Sequence, residues 1–342
     1  MANQWHQTES IGIDLGTANV RIHVQGKGIV LNEPAVIAVN RNTGEMLAAG
    51  AEAYAMLGRT PSGVAVVRPI KDGVISSYHD TERMLRHYLR KVIGRRLLFK
   101  PNVMVCVPSG VTEVERRALV EVAEEAGARR AGLIEEPLAA AIGAGIDIAA
   151  AGGSMVVDIG GGTTDAAVIS LGGMVVHRSV KVAGRKLDEA MVRYMKREHR
   201  ILIGDTTAEQ IKINIGAALA NGDSARMEVS GRSATTGLPV RVTLNARDTV
   251  VAFEETYSAM LETVQSVLER TPPELCADVA QSGICMTGGG ALLNGLDRLI
   301  SAKVGLPCFV AEDPMYCVAI GTGIASEHMD MLPPAEEPYA RA

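Results

Sequence analysis

Aromatic side chains make up only 3% of this 342-residue chain, with one Trp, three Phe and seven Tyr. Its cores must therefore be built from Val, Ile, Leu, Ala and Met, and a cofactor pocket that stacks flat rings on aromatics is hard to staff. Charge of one sign is lacking too: 34 Lys and Arg stand against 39 Asp and Glu, a formal net charge of −5 with no strong block of either sign. A nucleic-acid binder would carry a basic stripe, so nucleic acid is not expected as a partner. The five cysteines (Cys106, Cys276, Cys285, Cys308, Cys317) contain no CxxC pair, and the seven histidines no HExxH or other metal-ligand spacing. Four of the cysteines sit in apolar runs, which points to reduced, buried thiols of the kind a cytosolic protein keeps. The opening MANQWHQTES has no apolar core region, unlike a secretory signal. No uncharged run approaches the ~18 residues of a membrane span; the richest stretch, Leu138 to Ala151, is short, broken by Asp147 and studded with Gly. The expectation is a cytoplasmic chain, attached to a membrane at most by its surface.

What is present is a phosphate-loop pattern, twice. The first copy runs Ile11-Gly12-Ile13-Asp14-Leu15-Gly16-Thr17-Ala18-Asn19, and the second runs Val156-Val157-Asp158-Ile159-Gly160-Gly161-Gly162-Thr163-Thr164-Asp165, with Asp158 lying 144 positions after Asp14. Each is an apolar run, an Asp, then a Gly-rich turn with hydroxyl residues, which reads as a buried strand ending in a loop that exposes backbone N–H groups. The glycines let backbone approach an anion, and Thr17, Thr163 and Thr164 can add hydroxyl donors. Two such loops facing each other would grip a polyphosphate from both sides. Asp14 and Asp158, acceptor-only and at strand ends, suit a hydrated Mg²⁺ riding on the phosphates better than the phosphates themselves. The length and a hydrophobic content of 47% allow two core-bearing halves.

Around the first loop, Val20 to Val24 and Ala35 to Val39 read as strands of an antiparallel meander, Arg68 to Gly73 as a turn, and His79 to Ile93 as a helix with apolar residues at helical spacing. Val103 to Val107 is a strand, Thr112 with Glu115 a helix start and Gly127 its end, followed by a strand at Leu133-Ile134 and a helix from Pro137. This alternation predicts parallel sheet units. The second half repeats the plan, with a hairpin around Gly172-Gly173 and helices near Lys186 to Glu198 and Thr207 to Leu219, the latter opened by a hydroxyl and a Gln three later. Met227 to Leu244 reads as a small strand-like insertion, and a long helix runs from about Asp248 to Pro272. A third Gly-rich turn, Gly288-Gly289-Gly290 with Ala291, offers a surface where a purine and ribose can lie against backbone. Glu209 and Lys212, three apart on one helical face, suit the ribose and base from the other side. Glu136, beside Glu135 and ahead of Pro137, is the candidate for orienting or deprotonating water. In Arg95-Arg96-Leu97-Leu98-Phe99-Lys100-Pro101, three large apolar residues bracketed by positive charge suit insertion into an anionic membrane surface. The tail beyond Met331 is rich in Pro and Glu and is expected to be disordered.

The three glycine loops in this order resemble the superfamily of actin, sugar kinases and DnaK-type chaperone ATPases. Lys27-Gly28-Ile29-Val30-Leu31-Asn32-Glu33-Pro34, Gly58-Arg59-Thr60-Pro61, the stretch from Leu133 to Gly145 and Arg270-Thr271-Pro272-Pro273-Glu274-Leu275 are similar to the bacterial actins of the MreB/Mbl family. The resemblance spans about Ser10 to Leu332. It implies an α/β actin-like fold, a duplicated ribonuclease-H-like domain pair in four subdomains: IA at 10–32, 66–145 and 315–332, IB at 33–65, IIA at 146–182 and 246–314, IIB at 183–245. Residues 1–9 and 333–342 lie outside these. It further implies ATP and Mg²⁺ as cofactors, slow ATP hydrolysis, self-assembly into paired protofilaments on the inner face of the cytoplasmic membrane, and the cell-wall elongation machinery as partner in setting rod shape. By position, Asp14, Gly16, Thr17, Ala18 and Asn19 correspond to the first phosphate loop and Gly160, Gly161, Gly162 and Thr163 to the second. Gly184, Glu209, Gln210, Ile211, Lys212, Gly288, Gly289, Gly290, Ala291 and Leu292 correspond to further nucleotide contacts, and Glu136 and Thr163 to the catalytic positions. A hydrophobic loop like Leu97-Leu98-Phe99 anchors such proteins to membrane. Asp165 and Asn19-Val20 resemble the Mbl branch, but the choice between the two branches stays open. Two other classes compete: a sugar-kinase-like phosphotransferase, usually a longer chain, and a DnaK-like ATPase domain, which would be followed by a peptide-binding domain.

Overall fold

The computed structural model describes residues 10–94, 100–219 and 225–329. They form two compact units, the first from parts of 1–56, 60–146 and 316–342 and the second mainly from Asp147–Met315.

In the first unit, β1 (Ser10–Leu15) is buried along its whole length, which is why it reads as a continuous apolar run rather than an alternating one. It pairs antiparallel with β2 (Asn19–Val24), which pairs with β3 (Gly28–Pro34). β4 (Ile37–Asn40), β5 (Met46–Ala49) and β6 (Val64–Val67) form a separate small sheet in the order β5-β4-β6, with the short α1 (Ala51–Ala55) against it. The two-residue strands β7 (Ile70–Lys71) and β8 (Val74–Ile75) make a hairpin whose turn puts both Asp72 and Gly73 at positive φ. The expected Arg68 to Gly73 turn is thus a hairpin. Helix α2 (Tyr78–Ile93) is capped by Ser77 and buries Met84, Leu85, Tyr88 and Leu89. β9 (Asn102–Val107) returns parallel to β1, and β10 (Arg130–Glu135) lies parallel to β9. Between them runs α3 (Glu113–Ala126), started by reciprocal bonds between Thr112 and Glu115 and ended by Gly127. α4 (Glu136–Gly143) opens directly off β10. The sheet order is β10-β9-β1-β2-β3.

The second unit reproduces this order. β11 (Ser154–Ile159), β12 (Thr164–Ser170) and β13 (Gly173–Val180) form an antiparallel meander, turning through Leu171 and Gly172 at positive φ. After them come α5 (Gly184–Glu198), β14 (Ile201–Leu202), α6 (Asp205–Ile215), the hairpin β15 (Arg226–Ser233) and β16 (Pro239–Asn245), and the long α7 (Ala246–Arg270). α8 (Pro273–Ser282), β17 (Ile284–Thr287), a 3₁₀ turn at Gly289–Leu292, α9 (Leu296–Val304) and β18 (Cys308–Val310) complete it. Its sheet order, β13-β12-β11-β17-β18, places β17 parallel to β11 and β18 parallel to β17. Each unit is therefore a three-stranded meander starting at the phosphate-loop strand, extended on the strand's other side by two parallel strands. That is the duplicated α/β plan of the actin fold.

α10 (Cys317–Ser326) belongs to the first unit. It lies so close to its neighbours that a Cβ at Gly321 would overlap Ala139 O of α4, one at Gly143 would overlap Cys317 O, and one at Gly12 of β1 would overlap the Thr322–Gly323 backbone.

Three local readings need correction. Thr207 does not open α6: the helix starts two residues earlier after Gly204, with no side-chain cap, and Thr207 N–H donates to Gly204 O at 3.1 Å, already inside the first turn. Ala35 and Val36 do not belong to a strand; Ala35 N–H donates to Ala18 O at 2.9 Å, which turns the chain from one sheet toward the next. The sequence around Val279 to Met286 leads into the third glycine loop, and there the strand begins only at Ile284, because Val279 lies in α8. Residues 95–99 and the tail beyond Met331 lie outside the described residues.

Candidate functional site

In the first unit the candidate residues lie at the end of β1 and the turn into β2. Gly16 has to be glycine-sized, since a Cβ there would lie 2.9 Å from Asn19 O and 3.3 Å from Asp14 Oδ1. Thr17 Oγ1 accepts a hydrogen bond from Gly73 N at 2.9 Å, which ties the loop to the β7–β8 turn and leaves its own O–H to donate elsewhere. Ala18 is held through its carbonyl by Ala35, and Asn19 begins β2. Asp14 is 6% exposed, and both its oxygens are occupied. Arg21 Nη1 donates to Oδ2 at 3.0 Å, and the Cys106 thiol donates to Oδ1 with Sγ at 3.5 Å. Burial pushes the Cys106 thiol well up, and the nearby carboxylates of Asp14 and Glu136 push it further, so it stays a protonated donor. The same coupling brings Glu136, buried at the first position of α4, to the surroundings of Asp14. Glu135 is engaged elsewhere, its Oε1 2.6 Å from Arg116 Nη2.

In the second unit the candidate residues begin at the end of β11. Gly160 N–H donates to Thr163 O at 2.9 Å and closes the loop. Gly184 N–H donates to Gly160 O at 3.2 Å and Arg185 N–H to Gly161 O at 2.8 Å, so the start of α5 is fastened to the loop's backbone. Asp158 Oδ1 accepts from Thr287 Oγ1 at 2.8 Å. Thr163 is buried in the loop, whereas Thr164 does not offer its hydroxyl: as the first residue of β12 it donates to Val182 O at 2.7 Å. Lys212 of α6 reaches across to α5, with Nζ 2.9 Å from Asp188 Oδ1 and 3.1 Å from Gly184 O. Gly184 thus sits between the loop and the lysine: a Cβ there would lie 3.3 Å from Gly160 O and 3.4 Å from Lys212 Nζ. Burial raises the Asp188 carboxyl to about 6, against the pull of Lys212 and with help from Glu209 and Asp205. On α6, Ile211 is fully buried and faces the core, while the Gln210 carbonyl accepts from Asn214 Nδ2 at 2.7 Å.

The three glycines of the third loop differ in role. Gly288, at φ 79°, and Gly290 are pressed on the end of β11, where added Cβ atoms would overlap Ile159 O and Ile159 Cγ2 respectively. Gly289 has open space around it and is the one that presents bare backbone. Ala291 is buried and Leu292 is 58% exposed.

Among the described residues no group of three or more His, Cys, Asp or Glu is placed to hold a metal ion. Asp14 and Asp158 each already have an oxygen in a protein hydrogen bond, which fits a hydrated cation touched through water and not a chelated one. Each loop taken by itself suits a phosphate group: Gly16 makes a glycine-sized turn before β2 in which the Thr17 hydroxyl can donate, and the turn from Gly160 to Thr163 before β12 is rich in glycine. Arg21, Cys106, Asp188 and Thr287 escape a reading of the sequence because strand pairing and helix crossing bring them in. Only Arg21 carries a signal, its alternation with Ile22 in a strand directly after the loop.

A family model described as the MreB/Mbl protein matches residues 8–333. The chain belongs to the MreB/Mbl family. It is 50% identical over 323 residues to the cell shape-determining protein Mbl of Bacillus subtilis (strain 168), covering 94% of this chain and 97% of that one. It is 48% identical over 329 residues to the cell shape-determining protein MreB of Escherichia coli (strain K12), covering 95% of each. The crystal structure of MreB5 of Spiroplasma citri bound to AMPPNP superposes with a TM-score of 0.89 at 37% identity, covering 96% of this chain and 98% of that one. Within this MreB/Mbl chain no described helix is long and apolar enough to cross a membrane.

Proposed function

We propose that this MreB/Mbl chain is an actin-like cytoskeletal ATPase that assembles into filaments and organises cell-wall synthesis to determine rod shape. The observation that carries the reading is the repetition of one topology with one chemistry: in both units the strand that begins the meander carries an Asp at its next-to-last position and runs into a glycine-bearing turn. The nucleotide-bound relative MreB5 and the cell shape-determining relatives support it. In this reading both loops, with Gly184 and the Glu209–Lys212 and Gly288–Leu292 segments, hold ATP. Asp14 and Asp158 would hold a hydrated Mg²⁺ through water, and the ion would supply positive charge to offset that of the phosphates. Glu136 orients or deprotonates the attacking water, and Thr163 of the second loop is the other catalytic position that the family resemblance implies. The units divide further into the four subdomains expected from the family, and Leu97, Leu98 and Phe99 attach the filament to the inner face of the cytoplasmic membrane. Hydrolysis is slow and times filament turnover.

Light scattering with and without Mg·ATP, followed by electron microscopy of negatively stained samples, tests the reading. Scattering should rise only with nucleotide, and the micrographs should show paired filaments. A protein that binds ATP yet stays monomeric at all concentrations would overturn the cytoskeletal assignment and favour a phosphotransferase.

A further inference from the structure

Arg21 stands directly opposite Asp14 in the β1–β2 register, so the two side chains share one face of the sheet beside the first phosphate loop. The pair is nearly dry, with side chains 11% and 9% exposed, and its contact is 3.0 Å. The guanidinium is fixed from a second side, its central carbon 5.6 Å from the centre of the Tyr316 ring. Among the described residues Arg21 Nε has no hydrogen-bond partner although it is buried. A guanidinium stays charged at any working pH, is tethered to the chain unlike a bound ion, and presents several donors in a fixed plane. A second carboxylate, Glu136, lies close enough to act on the same Cys106 thiol as Asp14. The first loop would otherwise meet an incoming polyphosphate with uncompensated negative charge, the charge a hydrated divalent cation must then offset.

We propose that Arg21 is a resident counter-cation for Asp14, a positioning residue that lets the first phosphate loop accept a nucleoside polyphosphate with reduced dependence on a divalent cation. Arg21 holds the carboxylate in one orientation through Oδ2 while the Cys106 thiol holds Oδ1, and it supplies one elementary charge of screening built into the fold. The inference rests on the nucleotide-binding reading above.

The test is calorimetric titration of the whole protein with ATP, once with Mg²⁺ and once with excess EDTA, for wild type, Arg21→Met and Arg21→Lys, together with thermal melts without nucleotide. Arg21→Met keeps the length and removes the charge. The ratio of Kd without Mg²⁺ to Kd with Mg²⁺ should rise at least ~10-fold above the wild-type ratio, equivalent to about 1.4 kcal/mol. Arg21→Lys should restore most of that ratio, and Arg21→Met should melt lower without nucleotide because Asp14 is left buried and unpaired. If wild type and Arg21→Met show the same Mg²⁺ ratio, Arg21 is a structural strut and the inference fails while the nucleotide site stands. If wild type binds no ATP even with Mg²⁺, the site reading fails and the inference with it. Should Arg21→Met not fold, Asp14→Asn decides: with the guanidinium unopposed, ATP without Mg²⁺ should bind more tightly than to wild type, and weaker binding overturns the proposal.

Discussion

At the scale of single residues, the site separates groups that shape backbone from groups that do chemistry. Glu136 is proposed to be of the second kind. It is buried at the start of α4, and its neighbour Glu135 is held by Arg116 at 2.6 Å, so the two adjacent carboxylates are not interchangeable. A general base typically contributes ~10²–10⁴-fold in rate while leaving binding to other groups. Glu136→Ala should therefore bind ATP within a few-fold of wild type and still assemble, with phosphate release slowed at least ~10²-fold; release at the wild-type rate moves the role to another residue. The third glycine loop gives a pair of opposite outcomes. Gly290→Ala drives a Cβ into Ile159 and should cost about 1–3 kcal/mol in a denaturant titration, the usual cost of overpacking. Gly289→Ala meets nothing and should leave stability unchanged, yet it places a methyl where the base is proposed to lie, so ATP affinity should fall. Equal stabilities for the two variants would contradict the packing described here, and an unchanged affinity for Gly289→Ala would remove the platform from the site.

At the scale of elements, the α5–α6 crossing joins the second phosphate loop to the proposed adenosine contacts, through Gly184 and the Lys212–Asp188 pair. Asp188 titrates near 6, above its ordinary 3.8, with burial as the main cause, Lys212 opposing it and Glu209 and Asp205 adding to it. The folded protein therefore holds this proton more tightly than the unfolded chain does. Between about pH 4 and 6 that difference favours the fold at the acid end, and the stability it contributes is lost as pH rises toward 6. Asp188→Asn should flatten that part of the stability–pH curve. The grip on Lys212 runs the other way, because only the ionised carboxylate makes a charge-assisted bond, so wild-type ATP affinity should weaken as pH falls below 6 while Asp188→Asn is weaker throughout and flatter. Parallel slopes in the two proteins would show that Asp188 is not the titrating group. These elements also mark where sequence reading succeeds. The ends of α3 are legible because Thr112, Glu115 and Gly127 act at fixed offsets along the chain. The same offset at Thr207 and Gln210 misleads, because the end of β14 and Gly204 fix where α6 begins. The Asp and Gly residues of both loops are legible for the same local reason, whereas the Lys212–Asp188 pair forms only once two helices cross.

At the scale of the whole molecule, the proposed membrane attachment of the filament needs an anchor other than a spanning helix, because no described helix is long and apolar enough to cross a membrane. Arg95 to Pro101 joins the end of α2 to the start of β9 and lies largely outside the described residues, so its case is made by its sequence. Leu97, Leu98 and Phe99 follow neither helical nor strand alternation, and Arg95, Arg96 and Lys100 flank them. Each apolar side chain transferred into the headgroup boundary contributes roughly 1.5–3 kcal/mol, and each basic residue near anionic lipid about 1 kcal/mol. One copy would bind weakly and reversibly. A filament presenting the loop many times turns each later contact into an intramolecular one, so attachment follows assembly. Co-sedimentation with vesicles containing anionic lipid, in the presence of ATP, should pellet wild type and leave a Leu98→Ser, Phe99→Ser double variant in the supernatant at the low spin speed that clears vesicles. Wild type without nucleotide should also stay largely in the supernatant, because avidity needs the filament. If the double variant still forms filaments and pellets as fully as wild type, these residues are not the anchor, and the N-terminal segment around Trp5 becomes the next to substitute.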